Sequence, residues 1–270
     1  MHLAVIFGES IIFTSLFDLS GKTALITGAS SGLGKRFAEV LSAAGARVIL
    51  TSMELAKLQA LADTLKNAQA VEMDVSNKTA VRTAFTQIEQ ANERIDIAIC
   101  AAGISGSTPI FEPEISDTFK RIIQTNLMGV WYVTQCAANH MKQYEIAGSI
   151  INIASIRGIS YPRETTTGYC ASKAAVIQLT KALTGELAQA NIRINCIAPG
   201  AFCTPLIDHK LRIPGMKQAI EKPIPLGFIA EPEELDGTIL YLASNKASRY
   251  VTGTCLTVDG GVSWGGQAGV

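Results

Sequence analysis

The chain has 270 residues, 48% of them apolar and 17% charged, with 23 Lys and Arg matched by 23 Asp and Glu. This composition excludes a disordered chain, and the lack of net charge argues against a nucleic-acid or anionic-membrane footprint. A chain of this length buries a large core without disulfides or metals, and its six cysteines contain no CxxC pair, so they read as reduced thiols of a cytoplasmic protein.

Residues 1–18 form an N-terminal extension. Its apolar runs, 3–7 and 11–13, are interrupted by Glu9, short of the ~20 apolar residues of a membrane span. It also lacks the basic start and small-residue cleavage site of a signal peptide. The extension reads as a short strand or helix packed on the domain or on a partner subunit, or else as a frayed tail or mis-assigned start. From residue 19, short apolar runs alternate with longer amphipathic stretches. The predicted strands are Thr23–Thr27, Arg47–Leu50, Ala70–Met73, Ile95–Cys100, Ser149–Ile153, Ile192–Ile197 and Thr254–Val258. Several are β-branched and apolar on both faces, as a sheet covered on both sides requires. The predicted helices are Leu33–Ala44, Glu54–Lys66, Thr79–Glu93, Thr118–Tyr144, Tyr169–Ala190 and Glu231–Ala243. Asn77 and Ser116 are candidate N-caps, Pro232 a helix start and Gly45 a C-cap. This alternation predicts a single α/β domain over 19–262: a doubly wound, seven-stranded parallel sheet with right-handed crossovers and helices on both faces. Residues 203–228 break the alternation with four prolines and read as a long connection of the kind that forms a lid. Residues 263–270 are a C-terminal tail.

The residues with chemical potential gather at predicted strand ends. Thr27-Gly28-Ala29-Ser30-Ser31-Gly32-Leu33-Gly34 leads from the first strand into a helix. Its glycines permit a tight turn and close approach to a pyrophosphate, which the free N–H groups of the helix start would bind, although such a loop can also merely turn the chain. Asp74, followed by Val75, is a candidate partner for an adenine amine or a helix cap. Ala102 and Gly103 end Cys100-Ala101-Ala102-Gly103, where small residues let a ribose touch backbone or simply form a turn. Tyr169 and Lys173 are four apart and share a helix face. A phenol is a poor base at neutral pH, and a neighbouring ammonium lowers its pKa, which makes a proton shuttle; chance also produces such pairs. Ser155 can donate to a carbonyl oxygen as charge develops there, or serve as a turn residue. Asn126 lies within a long predicted helix without a propensity reason; it can bend that helix and hold a water, or face solvent.

In joint order, TGASSGLG (27–34), Asp74, CAAG (100–103), Asn126, Ser155, YCASK (169–173) and Pro199-Gly200 resemble the short-chain dehydrogenase/reductase family over residues 19–262. The branch is that of 3-oxoacyl carrier protein reductases and gluconate dehydrogenases. The resemblance implies a Rossmann-type fold and hydride transfer between a nicotinamide cofactor and a secondary alcohol or ketone, without a metal. It makes Tyr169 the general acid/base. Lys173 would lower its pKa and hold the nicotinamide ribose, Ser155 would orient the carbonyl, and Asn126 would anchor a relay water. Gly28, Ser30, Ser31, Gly32, Leu33, Gly34, Ser52, Met53, Asp74, Val75, Ala102 and Gly103 would bind the dinucleotide. Pro199, Gly200, Phe202 and Thr204 would meet its carboxamide. The family also implies a homotetramer or homodimer built on the long helices.

Two departures matter. CAAG replaces an Asn-rich NNAG, so side-chain amides that brace the sheet are missing at Cys100 and Ala101. At the second strand's end, Thr51-Ser52-Met53 carries neither the Asp typical of NAD-preferring members nor the Arg typical of NADP-preferring ones. With no carboxylate expected there, and with Thr51, Ser52 and Ser30 able to donate to a 2′-phosphate, NADP(H) is slightly favoured over NAD(H); Lys35 is near in sequence. The lid carries Lys210, Arg212, Lys217 and Lys222 against Asp208 and Glu221, and Arg157 and Arg163 flank the Ser155–Tyr169 loop. This excess fits an anionic substrate, a sugar acid or an acyl chain on a phosphopantetheine carrier, or a merely solvated surface. A different class of reading is a catalytically silent NAD(P)-sensing or regulatory protein on the same fold. The joint presence of Asn126, Ser155, Tyr169 and Lys173 argues against it, because a pure binder needs no proton shuttle.

Overall fold

Each apolar run read from the sequence becomes a strand in the computed structural model, which describes residues 15–111, 117–160 and 165–265. The strands are β1 (Thr23–Thr27), β2 (Arg47–Ser52), β3 (Ala68–Glu72), β4 (Ile97–Cys100), β5 (Ser149–Ile153), β6 (Arg193–Pro199) and β7 (Cys255–Val258). They form one parallel sheet in the order β3-β2-β1-β4-β5-β6-β7. The inner strands β1, β4, β5 and β6 are buried along their whole length, while the edge strands β3 and β7 are largely half-buried.

The helices between them are α1 (Gly32–Ala43), α2 (Leu55–Ala62), α3 (Lys78–Gln90), α4 (Asp117–Ile123), α5 (Gly129–Gln143), α6 (Thr167–Ala188), α7 (Pro205–Leu211), α8 (Met216–Glu221), α9 (Asp236–Ala243), α10 (Asn245–Ser248) and α11 (Val262–Gly265). One face of the sheet packs Phe85 and Ile88 of α3, Val133 and Met141 of α5 and Val176 of α6. The other packs Phe37 and Leu41 of α1, Leu58 of α2 and Leu242 of α9. Each such side chain contributes about 1.5–3 kcal/mol on burial, so the two apolar faces hold the sheet between its helices. Strand order reverses between β1 and β4, and the crevice at their carboxyl ends is where a doubly wound sheet binds its ligand. No helix among the described residues is long and apolar enough to cross a membrane.

Several expectations need correction. The helix expected over Thr118–Tyr144 is not continuous: a π-helical turn, Gln124–Met128, separates α4 from α5. The lid is not a bare connection, since it folds into α7 and α8. Pro205 does not break structure there; it occupies the first turn of α7, where its missing N–H has no partner to lose. Pro232 opens a 3-10 turn, Pro232–Leu235, ahead of α9. Asn77 caps α3 by accepting from the N–H groups of Thr79 and Ala80, and Gly45 after α1 has φ +97°. Ser116, Arg163 and most of the N-terminal extension lie outside the described residues. The extension's last residues dock on the domain, with Ser244 Oγ donating to Leu16 O at 2.5 Å.

Candidate functional site

The β1–α1 loop is built so that side chains stay out of it. A Cβ on Gly28 (φ +67°) would lie 2.8 Å from Ala102 Cα, and one on Gly34 would lie 2.3 Å from Gly28 O. Both glycines let backbone pack on backbone, which folds the loop tightly between the end of β4 and the first turn of α1, where Ser31 is the N-cap without a side-chain capping bond. Free amides and a partial positive charge at that helix start fit a pyrophosphate. Thr27 Oγ1 accepts from Ala102 N–H at 3.0 Å, which ties the loop to the end of β4. A Cβ on Gly103 would lie 3.4 Å from both Asn126 Oδ1 and Lys173 Nζ, so the end of the loop after β4 sits directly against the chemical residues. Asp74 Oδ1 is held by the N–H and hydroxyl of Ser76, and Val75 lies against Gly129.

At the far side, Gly200 packs where a Cβ would come 2.8 Å from Asp259 Cα. Pro199 ends β6. The Phe202 ring is buried in the core, so this residue has backbone groups to offer a ligand rather than its side chain. Thr204 Cβ lies 3.6 Å from the Cβ position of Gly32, so the lid begins directly against the glycine loop.

The outer rim differs from expectation. Thr51 is fully buried and spends its hydroxyl on Ile26 O at 3.1 Å. Lys35 turns to Glu39 at 3.8 Å. Ser30 Oγ donates to Glu54 Oε2 at 2.8 Å, and Glu54 N–H donates to Ser52 Oγ at 3.0 Å. Glu54 also binds the Lys57 ammonium, and these two bonds, Lys57 first, hold its carboxyl below the usual range. The expected carboxylate-free end of β2 therefore has a carboxylate after all. Met53 beside it is exposed. Glu54 lies about twenty residues past the loop glycines, the spacing at which an acid meets the ribose in Rossmann folds; that signal in the sequence could have found it.

At the chemical end, β5, the π turn and α6 converge. Asn126 is fully buried, its Oδ1 accepting from Ile104 N–H at 2.8 Å and its Nδ2 donating to Ile104 O at 2.9 Å and to Ser172 Oγ at 3.1 Å. Ser172 Oγ in turn donates to Tyr169 O at 2.7 Å. Asn126 thus staples the loop after β4 to α6, and the irregular turn is what aims it; sequence reading missed Ser172. Arg157 N–H donates to Ser155 Oγ at 3.1 Å, and the Ser155 hydroxyl lies on the Tyr169 phenol's side, where it works to lower the phenol's pKa. Lys173 is buried, with Nζ donating to Ile153 O at 2.7 Å and lying 5.7 Å from the Tyr169 ring centroid. Burial lowers its pKa to about 8.

The expected lowering of the Tyr169 pKa by Lys173 is not what the protein alone displays. Burial raises the phenol above its ordinary value, opposed chiefly by the Ser155 hydrogen bond and more weakly by the half-buried Arg157. The ammonium is committed to a carbonyl instead. Such a phenol keeps its proton at neutral pH and can donate it to an oxygen that Ser155 also faces. The missing sheet amides are replaced by a chain of hydroxyls. Cys100 Sγ meets Thr134 Oγ1 at 3.9 Å, Thr134 reaches Asn152 Oδ1 at 3.5 Å, and Asn152 Nδ2 donates to Thr180 Oγ1 at 3.0 Å.

A family model described as enoyl-(acyl carrier protein) reductase matches residues 28–263. The chain is 38% identical over 251 residues to 3beta-hydroxysteroid dehydrogenase 1 of Eggerthella lenta, covering 91% of this chain and 95% of that one. It is 37% identical over 248 residues to a 3-oxoacyl-[acyl-carrier-protein] reductase of Rickettsia prowazekii, covering 92% and 99%. A gluconate 5-dehydrogenase from Burkholderia cenocepacia, solved in complex with NADP and tartrate, superposes with a TM-score of 0.86 at 34% identity, covering 93% and 98%. The matches span the glycine loop, the π turn and the Ser155–Tyr169–Lys173 cluster together: the chain belongs to the short-chain dehydrogenase/reductase family and is an NAD(P)-dependent oxidoreductase.

Proposed function

We propose that the protein interconverts a secondary alcohol and a ketone, with Tyr169 as general acid/base, and works mainly as a reductase. The observation that carries this is the half-buried Tyr169 beside the buried Ser155 and Lys173, with Lys173 Nζ 5.7 Å from the Tyr169 ring centroid. Arg157 N–H fixes the Ser155 oxygen, and the Ser155 proton, turned to the Tyr169 phenol without substrate, would swing to a substrate oxygen placed beside both. Tyr169, held protonated by burial, delivers its proton to that oxygen as negative charge develops there. Lys173 is placed to leave Ile153 O for a ribose hydroxyl, and Asn126 keeps the backbone on either side of the site in register. The nicotinamide, when bound, supplies or takes the hydride. Gly28, Ser31, Gly32, Leu33 and Gly34 would hold its pyrophosphate. Asp74, Val75, Ala102 and Gly103 would line the adenosine side, and Pro199, Gly200, Phe202 and Thr204 the carboxamide side.

The substrate is a 3-oxoacyl thioester or a keto sugar or sugar acid. Names among its relatives support both, and the lid favours the acyl chain. Leu206, Ile213, Leu226 and Phe228 are exposed on it, while Lys217 is engaged by Glu221 at 3.7 Å. Six cysteines free of disulfides suit a reducing cytoplasm, and a homodimer or homotetramer on α5 and α6 completes the reading. The test is NADH and NADPH oxidation with 3-oxoacyl thioesters, keto sugar acids and their uncharged analogues. Turnover of a thioester or a keto acid is expected. Tight dinucleotide binding with no turnover of any carbonyl would favour the sensing role.

A further inference from the structure

We propose that Cys196 and Cys255 form a redox-modifiable dithiol, which a peroxide closes to an intramolecular disulfide. The two cysteines are register partners on the neighbouring parallel strands β6 and β7. Residues paired in this way project to the same face of a sheet, and Cys255 packs against the apolar cluster that contains Cys196. Neighbouring strands lie about 4.7–4.9 Å apart, inside the Cα separation of about 4.4–6.8 Å that a disulfide spans. A bridge here needs no change of register.

The pair stands at the end of a row. Thr27, Cys100, Asn152, Cys196 and Cys255 are successive register partners across β1, β4, β5, β6 and β7. Its last two members are adjacent thiols, while Asn152 separates them from Cys100. Cys196 is fully buried on an inner strand, whereas Cys255 is half-buried on the edge strand. A small oxidant therefore meets Cys255 first, with Cys196 behind it as the resolving thiol. An edge strand, held by one neighbour rather than two, also adjusts to a bridge more easily than an inner one.

Charge supports the same order. Cys255 is drawn below the ordinary thiol value, chiefly by the Cys196 thiol and more weakly by the Lys181 ammonium of α6, with burial opposing. Cys196 is raised by Cys255 and by burial, and keeps its proton. Burial pushes Cys100 up to about 12 and raises Cys136 and Cys203 as well, which slows those thiols. The Cys255 thiolate attacks one peroxide oxygen: an S–O bond forms, the O–O bond breaks and hydroxide leaves, giving a sulfenic acid. The Cys196 sulfur then attacks the Cys255 sulfur. The S–S bond forms, the S–O bond breaks, and the departing hydroxide takes the Cys196 proton as water. The two sulfurs together lose two electrons, and the peroxide is reduced to water. No residue assigned to hydride transfer takes part.

The experiment exposes the full chain to hydrogen peroxide, caps the remaining thiols with iodoacetamide and maps the non-reduced digest by mass spectrometry, for wild type, Cys255→Ser and Cys196→Ser. Wild type should lose two of its six thiols to a single Cys196–Cys255 link, and dithiothreitol should restore both. Cys255→Ser should lose none under the same exposure. Cys196→Ser, which has no resolving sulfur, should carry a sulfenic acid on Cys255 that dimedone traps. A wild type that keeps all six thiols, a link between other cysteines, or thiol loss in Cys255→Ser as fast as in wild type would each overturn the proposal. Dimedone labelling of Cys255 as complete in wild type as in Cys196→Ser would overturn it too, by showing that Cys196 does not resolve the sulfenic acid.

Discussion

The chemical cluster around Tyr169 and the outer rim of the glycine loop are built on opposite plans. At the chemical end, Asn126 and Lys173 are buried, and the side-chain bonds of Asn126 to Ile104 and Ser172 cross between elements: loop to π turn, π turn to α6. At the outer rim of the glycine loop, Ser52, Glu54 and Lys57 bond one another locally and Glu54 reaches Ser30, on a surface open to water. A proton donor works best dehydrated and pinned, because burial and geometry set its pKa. Discrimination between two cofactors that differ by one phosphate needs only a charge at the right place. The first plan ties function to the fold's stability; the second leaves function separable from it.

Breaking the packing of the glycine loop should have the largest effect. Gly34→Ala places a methyl 2.3 Å from Gly28 O, and dinucleotide affinity should fall by about a hundredfold in a titration. Unchanged affinity would show that the ligand does not run along the loop.

Lys173 sharpens the contrast through pH. Its folded pKa of about 8 lies below the ordinary 10.5, so between those values the unfolded chain holds a proton that the native state has lost. Stability should therefore rise with pH across this window, by about 3 kcal/mol relative to Lys173→Met, which lacks the group. Urea unfolding at pH 7.5 and 10 checks the sign. Asn126→Ala leaves the part-buried Ile104 N–H and C=O without this partner and should cost about 2 kcal/mol of stability. Glu54→Gln on the open rim should change stability by less than about 0.5 kcal/mol. Similar losses in both would erase the distinction between the two ends.

The smallest effect lies outside both. His140 is buried, its Nε2 accepting from Ile95 N–H at 3.1 Å and its Nδ1 facing Glu89 Oε1 at 3.3 Å. Burial lowers its pKa below the ordinary 6.5, with Glu89 opposing. The neutral ring is the native form, so stability should fall as pH drops through 6.5, where only the unfolded chain takes up the proton. Thermal unfolding of His140→Gln should lose that part of the pH dependence.

The same contrast governs what the sequence made legible. Tyr169, Lys173 and Ser155 could be read because proton transfer demands particular residue types at strand ends and at a helical spacing. Asn126 stood out as a helix misfit, yet the π turn that aims it could not be read, since α- and π-turns share the same local composition. Spacing placed Lys173 on the face of Tyr169 but not its Nζ on Ile153 O, and so the direction of the phenol's pKa was missed. Glu54 was overlooked because its bond to Ser30 depends on a side chain folding back over a loop 24 residues earlier. The lid prolines looked like breakers because the first turn of a helix and a loop both accept Pro205.

The most direct test of the central claim is Tyr169→Phe, assayed in parallel for dinucleotide binding and for turnover of whichever ketone the wild type reduces. Removing one hydroxyl should leave the Kd for the dinucleotide within about threefold while kcat drops by about 10²–10⁴-fold. A variant that binds and still turns over at the wild-type rate would contradict Tyr169 as the proton donor.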